Sequence, residues 1–161
     1  KFNNQYGETL VVPESSINEQ TKYVIGTNGE KMSKSKNNII NIFLEEKLLK
    51  KQIMSIETDS KPLESPKNPE TCNVFKIYSL LASNEMIEDL RSKYKNGGFG
   101  YGHAKKELLD LILNKFSKPR DKYNYLMSNK NEIDQILSEG SKKASKTANQ
   151  VMDRVRKKLG Y

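Results

Sequence analysis

The chain has 161 residues, enough to bury the core of one ordinary domain and build a second small one, but too few for a large multidomain enzyme. Its 28 lysines and arginines outnumber 20 aspartates and glutamates, and the formal net charge of +8 favours polyanionic partners such as nucleic acid, with a solvated lysine-rich surface as the alternative. The single cysteine, Cys72, excludes an internal disulfide and a cysteine-based zinc cluster.

The composition also predicts the cellular compartment of the protein. One free thiol suits a reducing environment. No apolar run approaches the roughly 20 residues that span a bilayer, and no charged start followed by an apolar core marks a signal peptide. We therefore predict a cytoplasmic protein without a membrane partner.

Two short apolar stretches near the start predict strands. Residues Glu8–Glu14 (ETLVVPE) form an apolar run that Pro13 stops, and Lys22–Gly26 (KYVIG) form a second run. Asn28 and Gly29 then provide a turn, because both residue types tolerate positive φ angles. The residues after Gly29 are therefore predicted to form a loop that leaves the end of a strand.

Helical spacing dominates the rest of the chain. Leu49, Ile53 and Ile56 predict a first helix, and Thr58–Glu70, with three prolines, predicts a connector. Beyond the connector the spacing returns, interrupted by the four glycines of Asn96–Gly102 (NGGFGYG). We predict five or six short helices packed as a bundle. Their apolar positions include Val74, Ile77, Tyr78, Leu81, Ile87, Leu90, Tyr94, Leu108, Leu111 and Ile112.

The loop after Gly29 contains the pentapeptide KMSKS, residues 31–35. Lysines that converge on one ligand, with serine hydroxyls and turn amides beside them, suit a polyphosphate. The loop is not a Walker A motif, because the chain lacks G-x-x-x-x-G-K-[ST], and GGFGYG has no preceding strand and so fails as a dinucleotide fingerprint. The alternative is a solvated loop of lysine and serine.

KMSKS matches, letter for letter, the second signature of class I aminoacyl-tRNA synthetases. Together with YGETLVVPE, SIETDS, GGFGYGHAKKEL and SEGSKKASKTANQVM, it makes the whole chain resemble the C-terminal half of bacterial tryptophanyl-tRNA synthetases. The resemblance implies a mainly α fold: residues 1–45 would end a nucleotide-binding α/β catalytic domain, and 46–161 would form a helical domain that recognises the tRNA anticodon. It also implies an upstream half with the HIGH signature and the tryptophan pocket, so this chain alone is expected to be inactive.

The resemblance implies a reaction and site residues. Tryptophan would be activated by ATP, with Mg²⁺ in the full-length protein, and passed to tRNA(Trp) by an enzyme expected to be a homodimer. Lys31 and Lys34 would be the catalytic cations that stabilise departing pyrophosphate. Gly29 would act as a hinge, Lys36 would face solvent, and no protein metal site is expected in this chain. The ATP-binding residues would be Val24, Ile25, Lys31, Met32, Ser33, Lys34 and Ser35.

The C-terminal segment carries most of the excess charge. From Ser141 onward there are seven basic residues and one acidic residue, a net charge of +6. Small and apolar residues fall on one face of a helical wheel and most basic residues fall on the other. We predict tRNA contacts on the basic face, and a merely solvated face is an equal alternative. The candidate residues are Lys142, Lys143, Lys146 and Lys157.

Two other functions compete with this interpretation. The first is a fragment of a tyrosyl-tRNA synthetase, which shares the catalytic fold, although the helical pattern up to Tyr161 leaves no room for an appended RNA-binding module. The second is a basic helical RNA-binding protein without catalysis, in which the KMSKS match would be accidental. The only histidine, His103, is predicted to be a surface or helix-start residue rather than a catalytic group.

Overall fold

A computed structural model describes residues 1–18 and 21–161 of the chain. These residues form two compact units, Lys1–Ser16 with Asn124–Tyr161 and, separately, Ile17–Tyr123. The mainly α fold is therefore confirmed, whereas the functional boundary after residue 45 stays a prediction. The helices are α1 (Phe2–Tyr6), α2 (Glu46–Met54), a 3₁₀ turn (Pro69–Thr71), α3 (Asn73–Ser79), α4 (Asn84–Asn96), α5 (Tyr101–Lys115), α6 (Ser117–Ser128) and α7 (Lys130–Leu159).

The two strand predictions are wrong for the residues that the structure describes. Residues 8–14 form neither helix nor strand, and Val11 and Val12 are 89% and 74% exposed. The side chain of Asn3 instead accepts hydrogen bonds from the amides of Thr9 and Leu10, so these groups do not need a neighbouring strand. Apolar composition suggested strands here, but a strand forms only where a second strand pairs with it.

Apolar positions from α2 to α5 meet in one core within the unit 17–123. The spacing predicted from the sequence is confirmed, since Leu49, Ile53, Val74, Leu90 and Leu108 are each 0% exposed. Helix α4 is capped at its N-terminus by Ser83, whose hydroxyl accepts from the amide of Met86. The other buried apolar residues are Ile25, Ile56, Cys72, Phe75, Ile77, Tyr78, Tyr94, Ala104, Leu109 and Ile112.

The connector 58–70 is ordered and lies against the glycine-rich segment. Lys67 is only 3% exposed, and its backbone amide donates a 2.7 Å hydrogen bond to the carbonyl of Tyr94. Gly97 has φ +74°, and a Cβ there would lie 2.3 Å from a connector carbonyl oxygen, so this close approach requires glycine. The amine of Lys67 donates to the carbonyls of Pro62, Leu63 and Ser65.

Helix α7 is the longest helix among the described residues. Its 30 residues run through Gly140 without a break and end before Gly160, which adopts the left-handed conformation at φ 87°. No residue of α7 is buried. None of the helices in the described ranges combines the length and apolar character needed to cross a membrane.

Candidate functional site

A short hairpin-like turn positions the KMSKS loop. Ile25 and Lys31 form an isolated antiparallel bridge, and the amide of Met32 donates a 2.9 Å hydrogen bond to the carbonyl of Val24. The amide of Gly26 donates to the carbonyl of Glu30 at 2.8 Å. The backbone therefore brings together four of the predicted ATP-binding residues, Val24, Ile25, Lys31 and Met32.

Two glycines let this turn pack closely against its neighbours. A Cβ on Gly26 would lie 2.2 Å from the carbonyl oxygen of Asn38. Gly29 has φ +77°, and a Cβ there would lie 2.8 Å from Oδ1 of Asn73, at the start of α3. The turn therefore packs closely against Asn38 and Asn73. The predicted hinge role of Gly29 stays a prediction.

The predicted ATP-binding side chains of residues 31–35 are exposed to different degrees. Lys31, Lys34 and Ser35 are exposed, and Met32 and Ser33 are half-buried. The hydroxyls of Ser33 and Ser35 lie 2.9 Å apart and share a hydrogen bond. Among the described residues, neither Lys31 nor Lys34 has a side-chain hydrogen bond or ion pair, so both amines are available to an anion.

Two of the predicted ATP-binding residues, Val24 and Ile25, differ in accessibility. Val24 is half-buried, whereas the side chain of Ile25 is 9% exposed and belongs to the core. Only the backbone of Ile25 therefore remains for a ligand.

Lys36 differs from the other two lysines of the loop. Its amine pairs with Oε2 of Glu30 at 2.8 Å. The hydrogen bond and the charge attraction raise the pKa of Lys36 and lower the pKa of Glu30. Lys36 is therefore already neutralised within the loop, which agrees with its predicted position outside the phosphate site.

The sequence interpretation missed one residue of this site. Asn38 is 2% exposed, and its side chain makes three hydrogen bonds within the loop region. A polar residue in a loop has no apolar periodicity, so no pattern signalled its burial. The only sequence sign is its position directly before the apolar pair Ile39–Ile40.

The second candidate site is the basic face of α7. Lys142, Lys143, Lys146 and Lys157 are all exposed. At 3.6 residues per turn, they fall within about 100° of arc and extend over roughly 22 Å of helix. In the described chain none of the four has a carboxylate partner, whereas Arg156 lies 3.8 Å from Asp153. This arrangement forms a positive stripe that is open to a polyanion.

The opposite face of α7 is only partly covered. Val151 and Val155 are half-buried, but Ala144 and Ala148 are exposed and Leu159 is 42% exposed. Coverage of this face is therefore partial and centred on Val151 and Val155.

Comparisons with known proteins agree on one family. Residues 1–117 match the family model for tRNA synthetases class I (W and Y). The chain is 45% identical over 160 residues to the tryptophan–tRNA ligase of Campylobacter jejuni strain RM1221 and 47% identical over 161 residues to that of Fusobacterium nucleatum. Each alignment covers 99% of this chain, but 50% and 49% of these two relatives. The chain thus spans about half the length of the curated relatives it matches.

A solved structure agrees with the sequence relatives. The crystal structure of tryptophanyl-tRNA synthetase from Campylobacter jejuni complexed with ADP and tryptophan matches with a TM-score of 0.84 at 45% identity. The match covers 99% of this chain and 50% of that one. The family resemblance stated from KMSKS and its neighbouring segments is confirmed. The chain belongs to the class I tRNA synthetases of the tryptophan and tyrosine group.

Proposed function

We propose that this chain is the C-terminal part of a tryptophan–tRNA ligase, which activates tryptophan with ATP and transfers it to tRNA(Trp). The observation that carries the proposal is the anchored KMSKS loop, whose Lys31 and Lys34 are exposed and without a side-chain partner among the described residues. The relatives named tryptophan–tRNA ligases support tryptophan as the amino acid.

The loop lysines act on the activation step. The carboxylate of tryptophan attacks the α-phosphorus of ATP, the bond to the bridging oxygen breaks, and pyrophosphate leaves with the negative charge. Lys31 and Lys34 donate to the oxygens of that leaving group, and their attraction grows as its charge increases. The hydroxyls of Ser33 and Ser35 orient phosphate oxygens beside them.

Mg²⁺ enters the proposal only as a companion of ATP. Within the part of the chain that the structure describes, no group of three or more His, Cys, Asp or Glu side chains could hold a metal ion. A homodimeric full-length enzyme in the cytoplasm remains part of the proposal.

The helical residues bind the RNA substrate in this proposal. The positive stripe of α7 contacts tRNA phosphates through Lys142, Lys143, Lys146 and Lys157. Phosphate contacts position a nucleic acid without reading its sequence, so this stripe contributes affinity and orientation rather than anticodon specificity.

The test is amino-acid-dependent exchange of labelled pyrophosphate into ATP by the full-length protein that contains this chain. Tryptophan should support exchange and tyrosine at the same concentration should not. The isolated 161-residue chain should give no exchange, because the amino-acid pocket and the HIGH signature are assigned to a preceding segment. Exchange with tyrosine alone would establish the tyrosine alternative. A folded full-length protein that is inactive with both amino acids would overturn the synthetase function.

A further inference from the structure

A buried amide lies beneath the KMSKS loop. Asn38 is 2% exposed, and burial of an amide without hydrogen-bond partners would cost several kcal/mol. Both of its donor hydrogens are used: Nδ2 donates to Oδ1 of Asn28 at 2.7 Å and to the carbonyl of Lys31 at 3.2 Å. Its Oδ1 accepts from the amide of Ser33 at 2.8 Å. The group is therefore satisfied entirely by the loop and the turn before it.

These bonds act on the signature itself. The carbonyl of Lys31 and the amide of Ser33 lie on either side of Met32, so one side chain fixes both peptide groups that flank this residue. The backbone of Asn38 adds a further tie, because its carbonyl accepts from the amide of Thr27 at 2.9 Å. The path of residues 31–33, and hence the point from which Lys34 departs, depends on Asn38.

We infer that Asn38 is a positioning residue that holds the KMSKS lysines in the geometry required by departing pyrophosphate. The inference rests on the function proposed above and adds a residue outside the signature to its machinery. Asn38 does not touch the substrate: it acts through the backbone of Lys31 and Ser33. A misplacement of about 1 Å in a reacting group can reduce a rate roughly 100-fold, so fixing this backbone matters for the chemistry.

An amide is required at position 38 because the side chain must both donate and accept hydrogen bonds. An aspartate at this position has nearly the same shape, and its carboxylate can still accept from the amide of Ser33. It has no hydrogen to donate to the carbonyl of Lys31 or to Oδ1 of Asn28, so oxygen would face oxygen at both contacts. Asn38→Asp therefore breaks the two donated bonds at almost constant volume.

A neighbouring residue provides a matched control. Asn37 is exposed, lies at φ 50°, and makes no side-chain hydrogen bond among the described residues. Asn37→Asp adds the same negative charge one position away. Any effect of charge alone on the loop lysines should therefore appear in both variants, whereas loss of the donated hydrogen bonds appears only at Asn38.

The experiment measures two quantities in the full-length protein. The first is kcat and KM for tryptophan-dependent pyrophosphate exchange, and the second is hydrogen–deuterium exchange of the peptide that contains residues 31–35. Asn38→Asp should lower kcat by about 10- to 100-fold, change the KM for tryptophan by less than about twofold, and speed amide exchange in this peptide. Asn37→Asp should stay near wild type in both quantities.

Asn28→Ala covers the case in which Asn38→Asp fails to fold. Asn28 is half-buried, and its loss removes one acceptor of the Asn38 amide, so a smaller decrease of kcat in the same direction is expected. Wild-type kcat in a folded Asn38→Asp protein, with or without a lower melting temperature, would overturn the positioning role. Unchanged amide exchange in residues 31–35 would also overturn it. If the wild-type protein shows no exchange with tryptophan, the proposed function fails, whereas the amide measurement still decides whether Asn38 fixes the loop.

Discussion

The hydroxyl of Tyr101 donates a 2.6 Å hydrogen bond to Oδ1 of Asp59, which lies 42 positions earlier in the chain. The same carboxylate accepts from the amide of Lys61 at 3.2 Å, so it closes a local turn and ties the connector to the start of α5. Since both donors favour the ionised form, the pKa of Asp59 lies below its ordinary value of 3.8, with the Tyr101 hydrogen bond as the largest cause.

Tyr101→Phe should therefore destabilise the chain in a pH-dependent way. A carboxylate with a lowered pKa stabilises the folded state above its unfolded pKa and loses this effect as the pH falls through the folded value. At pH 7 the melting temperature should fall by roughly 1 to 3 °C, given a partly solvated bond. The difference from wild type should shrink below pH 3.8.

The control for this substitution is Tyr161→Phe, because Tyr161 is 90% exposed. It should leave the melting temperature unchanged at every pH. A difference between wild type and Tyr101→Phe that grows as the pH falls would contradict the assignment of Asp59 as the hydrogen-bonded carboxylate.

Lys67 should contribute more to stability than an exposed lysine does, because it is buried. Lys67→Met removes a buried ammonium that donates to three connector carbonyls. The free energy of unfolding should fall by about 2 to 4 kcal/mol in urea titrations. Lys61→Met is the control: Lys61 is exposed, and its amine makes one long 3.4 Å contact with the carbonyl of Pro66. Equal effects of the two substitutions would contradict a special role of Lys67.

Two glycines should respond in opposite directions to alanine. Gly140 lies inside α7 and a Cβ there would meet nothing within 4 Å, so Gly140→Ala should raise helix content and stabilise α7 by about 0.5 to 1 kcal/mol. Gly26→Ala would place a Cβ 2.2 Å from the backbone of Asn38 and should destabilise the unit 17–123. Circular dichroism melts compare the two variants directly. A stabilising Gly26→Ala would show that the turn is not closely packed.

The buried positions of the helical core were predictable because apolar residues repeat there at helical spacing. Leu49, Ile53, Val74 and Leu90 repeat at helical spacing, and each is fully buried. The residues 8–14 were not predictable in the same way, since a strand depends on a partner whose position no local pattern encodes. The KMSKS loop was predictable from its match to a known signature. The role of Asn38, which supports this loop, was not. Its role depends on burial, and burial of a single polar side chain leaves no repeat in the sequence.

The positive stripe of α7 should control tRNA affinity through salt. Each lysine that neutralises a phosphate releases counterions, so replacing Lys142, Lys143, Lys146 and Lys157 by Gln should flatten the plot of log affinity against log salt concentration. The expected change is roughly 0.7 to 0.9 units of slope per lost contact. Tryptophan-dependent pyrophosphate exchange, which needs no tRNA in this proposal, should persist.

A matched set of lysines separates specific contact from total charge. Replacement of Lys47, Lys50, Lys51 and Lys106, which are exposed in the unit 17–123, removes the same charge. If this set changes the salt slope as much as the α7 set, tRNA does not bind the stripe specifically. If the α7 set leaves the slope unchanged, α7 is a solvated face and tRNA binds elsewhere.

The central claim concerns Lys34, and the rate of tryptophan-dependent pyrophosphate exchange tests it most directly. In the full-length protein, Lys34→Ala should lower kcat by about 100-fold or more while the KM for tryptophan changes less than about threefold, because the lost contact strengthens only as pyrophosphate departs. Lys36→Ala removes the same charge from the same loop, but its amine is paired with Glu30, so its kcat should stay within about threefold of wild type. Retention of the wild-type rate by Lys34→Ala, with an effect only on the KM for tryptophan, would contradict the account.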